Sequence, residues 1–281
     1  MKTIYTSLIF TFVAASMAFA QKPKLTQSWA SDPVFKTPES VCYDKDRNVL
    51  YVSNINENPW EDDGNGFISK IKPNGEIIKL EWVSGLNAPK GMGVFDNTLY
   101  VTDNNDLIEI DIEKGAIVKT HHWDANDKFN DVSIASDGTV WFTDSGNNKI
   151  YFFKNGERTL FLDEGLDNCN GIFIEKNRVL IAGMGSEDVA AYDLKDKSKT
   201  TLATDTGKGD GIVPTHKKGY YLLSGWNGVI SLVTPKGEFI SLLNAIEQEI
   251  QAADIDYIIE EKLLFVPTFY DNRVFAYTLE F

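Results

Sequence analysis

Residues 130–162 read Asn130-Asp-Val-Ser-Ile134, Thr139-Val-Trp-Phe-Thr-Asp144, Lys149-Ile-Tyr-Phe-Phe153 and, past Asn155-Gly156, Arg158-Thr-Leu-Phe-Leu162. Each run is short, rich in β-branched and aromatic residues, and bounded by Asp-Gly, Asn or Asn-Gly turns. Antiparallel strands joined by hairpins need that composition. The two leading strands recur five more times along the chain: 39–43 with 48–53, 90–94 with 98–103, 170–174 with 178–182, 210–214 with 219–224, and 253–257 with 263–267. The leading positions 39, 90, 130, 170, 210 and 253 are spaced by 51, 40, 40, 40 and 43 residues. Four strands per unit of about forty residues, repeated radially, predict an all-β fold, a six-bladed β-propeller with four antiparallel strands per blade.

Closure follows from the same count. The sixth unit offers only three strands, 254–259, 263–268 and 273–279, and the stretch 24–31 is the expected fourth, an N-terminal strand joining the last blade. Such a join removes a sheet edge and locks the ring. Only 244–251 reads as helical. In a four-stranded meander the inner strand starts on one face of the disc, and the loop between strands two and three returns there. The six leading residues therefore ring one channel mouth, overhung by loops 56–66, 103–106, 144–148, 183–188, 225–228 and 269–272. The first is about eleven residues longer than the repeat requires, and long loops are often functional. It carries Trp60, Glu61, Asp62 and Asp63, and reads as a lid, a second cation site or a solvated insertion.

The chain has 281 residues, 43% hydrophobic, enough for a large core. Its 27 Lys and Arg against 41 Asp and Glu give a net charge of −14. That excess excludes a nucleic-acid partner and docking on an anionic leaflet, both of which need a basic surface. Residues 1–20 read as a secretory signal: Lys2, an apolar run 8–15, and Ala18-Phe19-Ala20 before Gln21. The expectation is a cleaved, extracytoplasmic protein, periplasmic or secreted, with residues 21–281 forming one domain and no membrane insertion. The two cysteines, Cys42 and Cys169, fall on opposite sides of the ring, so no bridge is expected.

The ring positions are Glu39, Lys90, Asn130, Asn170 and Asp210, with Ala253 and Asp254 at the sixth. Buried strand starts have no structural need of unpaired carboxylates and amides. Glu, Asn, Asn and Asp offer only oxygen donors, a hard-cation set suited to Ca²⁺ and less well to Mg²⁺ or Mn²⁺. The bland reading is that these residues cap strand ends and bond channel water. His121 and His122 are adjacent on an outer strand and point to opposite faces, and Trp60, Trp226 and Tyr270 read as rim aromatics. No Gly-x-Ser-x-Gly, Gly-x-Gly-x-x-Gly or Walker motif occurs.

Across residues 21–281 the sequence resembles the regucalcin/gluconolactonase (senescence marker protein) family of six-bladed propellers. The closest local match is Lys128-Phe-Asn130-Asp131 followed by Gly138-Thr-Val-Trp-Phe-Thr-Asp144; Asn170-Gly171 and Asp210-Gly211 resemble the next two family signatures. The resemblance implies a metal held by Glu39, Asn170 and Asp210, with Asn130 binding metal or substrate. Here Ser40-Val41 stands where the family often has Gly-Pro, Lys128 where it often has arginine, and Lys90 in the ring is not a family hallmark. The implied activity is hydrolysis of a small-molecule substrate, a sugar lactone by default. Asp210 would activate water, Asn130 would orient the substrate, and Lys128 or Lys90 would steady an oxyanion or a substrate carboxylate. The alternative is a non-catalytic extracytoplasmic propeller that binds a ligand or protein partner around a structural metal.

Overall fold

The computed structural model describes residues 22–281; the expected signal segment 1–20 lies outside the described residues. Among the described residues twenty-four strands form six separate four-stranded antiparallel sheets. Five are meanders in chain order, starting with the inner strands Pro38–Asp44, Pro89–Phe95, Phe129–Ile134, Cys169–Ile174 and Gly209–Pro214. The sixth runs Asp256–Ile258, Leu263–Pro267, Val274–Glu280, and its outer strand is the N-terminal Lys24–Ala30, paired in register Lys24↔Glu280 to Ala30↔Phe275. The six-bladed ring and its N-terminal closure are as the repeat count predicts. Among the described residues helix is confined to two three-residue 3₁₀ turns, Ile246–Gln248 and Phe269–Asp271. The first is shorter than the sequence suggested because Asn244 still belongs to the outer strand Phe239–Asn244.

Apolar burial lies in wedges between neighbouring blades rather than at the disc centre. Tyr51, Ile68 and Val83 of blade one pack on Met92, Leu99 and Ile108 of blade two. Phe265 and Val274 of blade six pack on Val41 and Leu50 of blade one, completing the circle. The centre is left to polar inner-strand residues. Cys42 and Cys169 are both buried and free, in blades one and four.

Each of the five full inner strands carries a register shift at its first residues, between Pro38/Val41, Pro89/Met92, Phe129/Val132, Cys169/Ile172 and Gly209/Ile212. Such a bulge breaks strict alternation and re-aims side chains. It also brings neighbouring inner strands close. A Cβ on Gly171 would sit 1.9 Å from the Asp210 carbonyl oxygen, and one on Gly91 2.5 Å from the Asp131 Cα, so both positions admit only glycine.

A buried hydroxyl on the second strand ties down four of the five bulges; blade four has Ala182 at that place. Thr143 Oγ1 accepts from the Asp131 N–H at 3.1 Å and donates to the Asn170 carbonyl of the next blade at 2.8 Å. Ser224 does the same between Gly211 and Ala253, at 2.8 and 2.7 Å. Thr102 links Gly91 to Asn130, and Ser53 accepts from Ser40. The following Asp or Asn fixes the chain entering the ring: Asp103 accepts from the Asn87 and Ala88 N–H groups, Asp144 from Lys128, and Asn54 from Lys36. Replacing Thr143 by Val keeps the shape and strands a buried donor and acceptor, at about 1–3 kcal/mol each. For a chain of this size a loss of about 2 kcal/mol lowers the melting temperature by about 4–8 °C; a melt within a degree of the parent's would dismiss the hydroxyl bridge.

Candidate metal centre

Glu39, Asn130, Asn170, Asp210, Lys90 and Lys128 all line one cavity of about 330 Å³ at the channel mouth. The bulges place Glu39, Lys90, Asn130, Asn170 and Asp210 there, one per blade from the first to the fifth, and Lys128 enters just ahead of the third inner strand. At its base, Glu39 and Asp210 of the lining and Asp131 just behind it bring one carboxylate oxygen each within 4.8 Å of one another. All three side chains are buried, Asp131 and Asp210 to 1% exposure. One oxygen on each (Glu39 Oε2, Asp131 Oδ2 and Asp210 Oδ1) has no hydrogen-bond partner. Three buried carboxylates that converge from three blades, each with an oxygen lacking a protein partner, need a counter-charge. Among the described residues no other group of three or more His, Cys, Asp or Glu converges this way, in loop 56–66 or elsewhere.

Asp131 was not singled out by the sequence as a metal ligand. Alternation would turn it away from the channel when its neighbour Asn130 faces in, but the Phe129/Val132 bulge lets both reach the centre. Comparing ring positions narrows it: the residue after the leading one is Ser40, Gly91, Gly171 or Gly211 in the other full blades, and only blade three and the sixth blade, with Asp254, place a carboxylate there. Asn130 bridges the carboxylates. With its nitrogen turned to them, its carboxamide donates to Glu39 Oε1 at 3.1 Å and Asp131 Oδ1 at 3.3 Å, and its oxygen lies 3.0 Å from the Asn170 carboxamide. A fourth acid, Asp254, stands behind the ring and accepts from Ser40 Oγ at 2.6 Å. The inner strands of blades six and one meet there, where Asp254 N–H donates to the Glu39 carbonyl at 2.9 Å.

Burial, then mutual repulsion, pushes the Glu39, Asp131 and Asp210 carboxyls far above the usual range, and burial raises Asp254 to about 7. Burial lowers Lys90 to about 8 against the pull of Glu39, Asp103 and Asp62. The metal-free fold therefore holds more protons than the unfolded chain, whose carboxyls titrate near 4. Where the native state binds more protons, stability falls as pH rises. Metal-free protein is expected to lose melting temperature steadily from about pH 4 through pH 7. A divalent ion should flatten that slope by holding the carboxylates ionised. A metal-free melt that rises over the same interval would contradict the like-charge centre.

The walls differ in character. On one side the loop 56–66 folds over the mouth and places Pro59 and Trp60 in the lining. Lys90 Nζ lies 4.1 Å and Lys128 Nζ 5.1 Å from the Trp60 ring centroid. Asn104 holds the loop by donating to Asp62 Oδ1 at 2.6 Å and the Glu61 carbonyl at 3.2 Å. Opposite stand Trp226, Phe269 and Tyr270, packed edge to face at 4.6 and 4.8 Å. The histidines lie elsewhere: His121 and His122 pair with Glu109 and Asp106 on an outer strand, and His216 bonds the Tyr257 hydroxyl. No helix among the described residues is long and apolar enough to cross a membrane.

Neither a protein-family model nor a curated protein matches the sequence. Solved structures share the fold at low identity. A gluconolactonase from Xanthomonas campestris superposes with a TM-score of 0.69 at 15% identity, over 88% of this chain and 87% of that one. A streptogramin B lyase gives 0.65 at 12%, over 92% and 98%. A catalytically inactive histidine-to-alanine variant of virginiamycin B lyase from Staphylococcus aureus, with quinupristin, gives 0.62 at 14%, over 92% and 99%.

Proposed function

We propose that this chain is a divalent-metal-dependent hydrolase of the sugar-lactone kind, exported by the signal at residues 1–20. The observation that carries the reading is the convergence of three buried carboxylates, one oxygen of each within 4.8 Å and one oxygen of each without a partner, beside a small-molecule-sized cavity that Glu39 and Asp210 line. Glu39, Asp131 and Asp210 would hold the ion, with Asn170 and, once its carboxamide turns its oxygen to the carboxylates, Asn130 as neutral oxygen donors. All-oxygen donors favour Ca²⁺, then Mg²⁺ or Mn²⁺. Once bound, the ion would supply Lewis-acid polarisation of the ester carbonyl.

The chain's own residues do the rest. Asp210 lines the cavity and takes a proton from the attacking water as its oxygen bonds to the carbonyl carbon. Asn130 orients that carbonyl by hydrogen-bonding the oxygen on which negative charge develops. The ring C–O bond breaks, its electron pair goes to the leaving oxygen, and the proton on Asp210 is returned there, giving the hydroxy acid. The likeness to a gluconolactonase supports this reading more than the likeness to the lyases. The lyase variant lost activity with a histidine, and no histidine lines this cavity.

Metal analysis of purified protein is expected to find one calcium per chain. Stripping it should abolish hydrolysis of a panel of aldonolactones, and Ca²⁺ should restore it. Zinc in the site, or no metal at all, overturns the ligand set. Metal-dependent stability without turnover of any lactone or aryl ester makes the chain a binding propeller instead. N-terminal sequencing of the exported protein, starting at Gln21, checks the signal.

A further inference from the structure

We propose that Lys90 and Lys128, with Trp60 laid across both ammonium groups, form a subsite for a carboxylate carried by the substrate, so that the cavity selects acidic sugar-sized rings over neutral ones. The proposal rests on reading the cavity as the substrate site, and it names what that substrate carries.

Lys90 is a ring residue only 2% exposed. Its ammonium donates to the Ala88 carbonyl at 2.8 Å and to Asn104 Oδ1 at 3.3 Å, which leaves its third N–H without a protein acceptor among the described residues. Glu39, Asp103 and Asp62 act on it from a distance. No ion pair among the described residues involves Lys90 or Lys128. A buried ammonium without a contacting anion is costly to keep. Here the face of Trp60 is its stand-in partner, a contact weaker than a charge-assisted hydrogen bond. A carboxylate entering the mouth can take the free N–H of Lys90 and an N–H of Lys128 together, displacing or tilting the indole. The opposite wall of Trp226 and Tyr270 offers flat apolar faces to the C–H face of the same ring, and the three orphaned oxygens mark where its reactive end lies. The protein's overall charge of −14 disfavours anions in general, so a preference for one here must come from this local pair of lysines.

Binding without turnover tests the pair. Methyl β-glucuronide and methyl β-glucoside differ only in carboxylate against CH₂OH, and neither contains a lactone to open. Calorimetry on the calcium-loaded full chain is expected to show the glucuronide binding about tenfold or more tightly, the size of one charge-assisted hydrogen bond. Lys128→Met, at an exposed position that does not threaten folding, and Lys90→Met should each reduce that preference and leave glucoside affinity unchanged. Equal affinities, failure of the glucuronide to bind, or a preference that survives both substitutions overturns the proposal; the last result would place the carboxylate on the ion. An intact preference in a protein that turns over no lactone sinks only the hydrolase reading.

Discussion

Asp210→Asn is expected to lower lactone turnover by about 10²–10⁴-fold at saturating calcium, the usual contribution of a positioned general base. Asparagine keeps the shape and one oxygen donor but gives up a negative charge and the ability to take a proton. Asp131→Asn makes the informative contrast. Asp131 belongs to the carboxylate triad but is not among the residues lining the cavity. Its loss should weaken calcium binding while turnover recovers once calcium is raised. If the two variants behave alike, with both rescued or both dead at saturating calcium, Asp210 is a ligand without a proton-transfer role. Both substitutions also remove a like charge from a crowded centre, so the metal-free variants should melt above the metal-free parent near neutral pH. That rise separates loss of chemistry from loss of fold.

The second large effect is expected from removing residues 22–31. That deletion uncovers the edge of Val274–Glu280 along the whole Lys24–Ala30 pairing. It also takes away Trp29, whose ring packs on Phe265 at 6.0 Å and whose indole N–H donates to the Pro73 carbonyl of blade one at 2.9 Å. The strand thus joins the last blade to the first on the outside. Folded domains hold only about 5–15 kcal/mol in reserve, and an open ring with a bare strand edge should aggregate or unfold at growth temperature. Trp29→Ala keeps the strand and loses only the stitch, at about 3 kcal/mol. A truncated chain that melts with the parent would show that the inner contact between Asp254 and Glu39 closes the ring unaided.

Much of this could be read from the residues. The forty-residue spacing of strand pairs fixes six blades, and the deficit of one strand in the last unit, with 24–31 free to fill it, fixes the closure. Glu39, Asn130, Asn170 and Asp210 could be placed at one mouth because topology puts every inner-strand start on the same face. Asp131 could not, since its orientation depends on a bulge, and a bulge arises from a register offset between two strands rather than from any residue type. The relation of Trp60 to Lys90 and Lys128 escaped for another reason. Loop 56–66 has no periodicity, and its path is set by Asn104 and Asn87 in blade two, which donate to or accept from Asp62, Glu61 and Gly64.

The three converging carboxylates come from alternate blades, at positions 39, 131 and 210. Whatever they hold cannot be gripped until the fifth blade has been made and docked, because no shorter stretch of chain brings the trio together. Long-range convergence of this kind forms late during folding. Cation uptake would then act as a checkpoint on biogenesis, reporting that the circle is complete, and a nascent or mis-closed chain would be distinguishable by its inability to retain calcium.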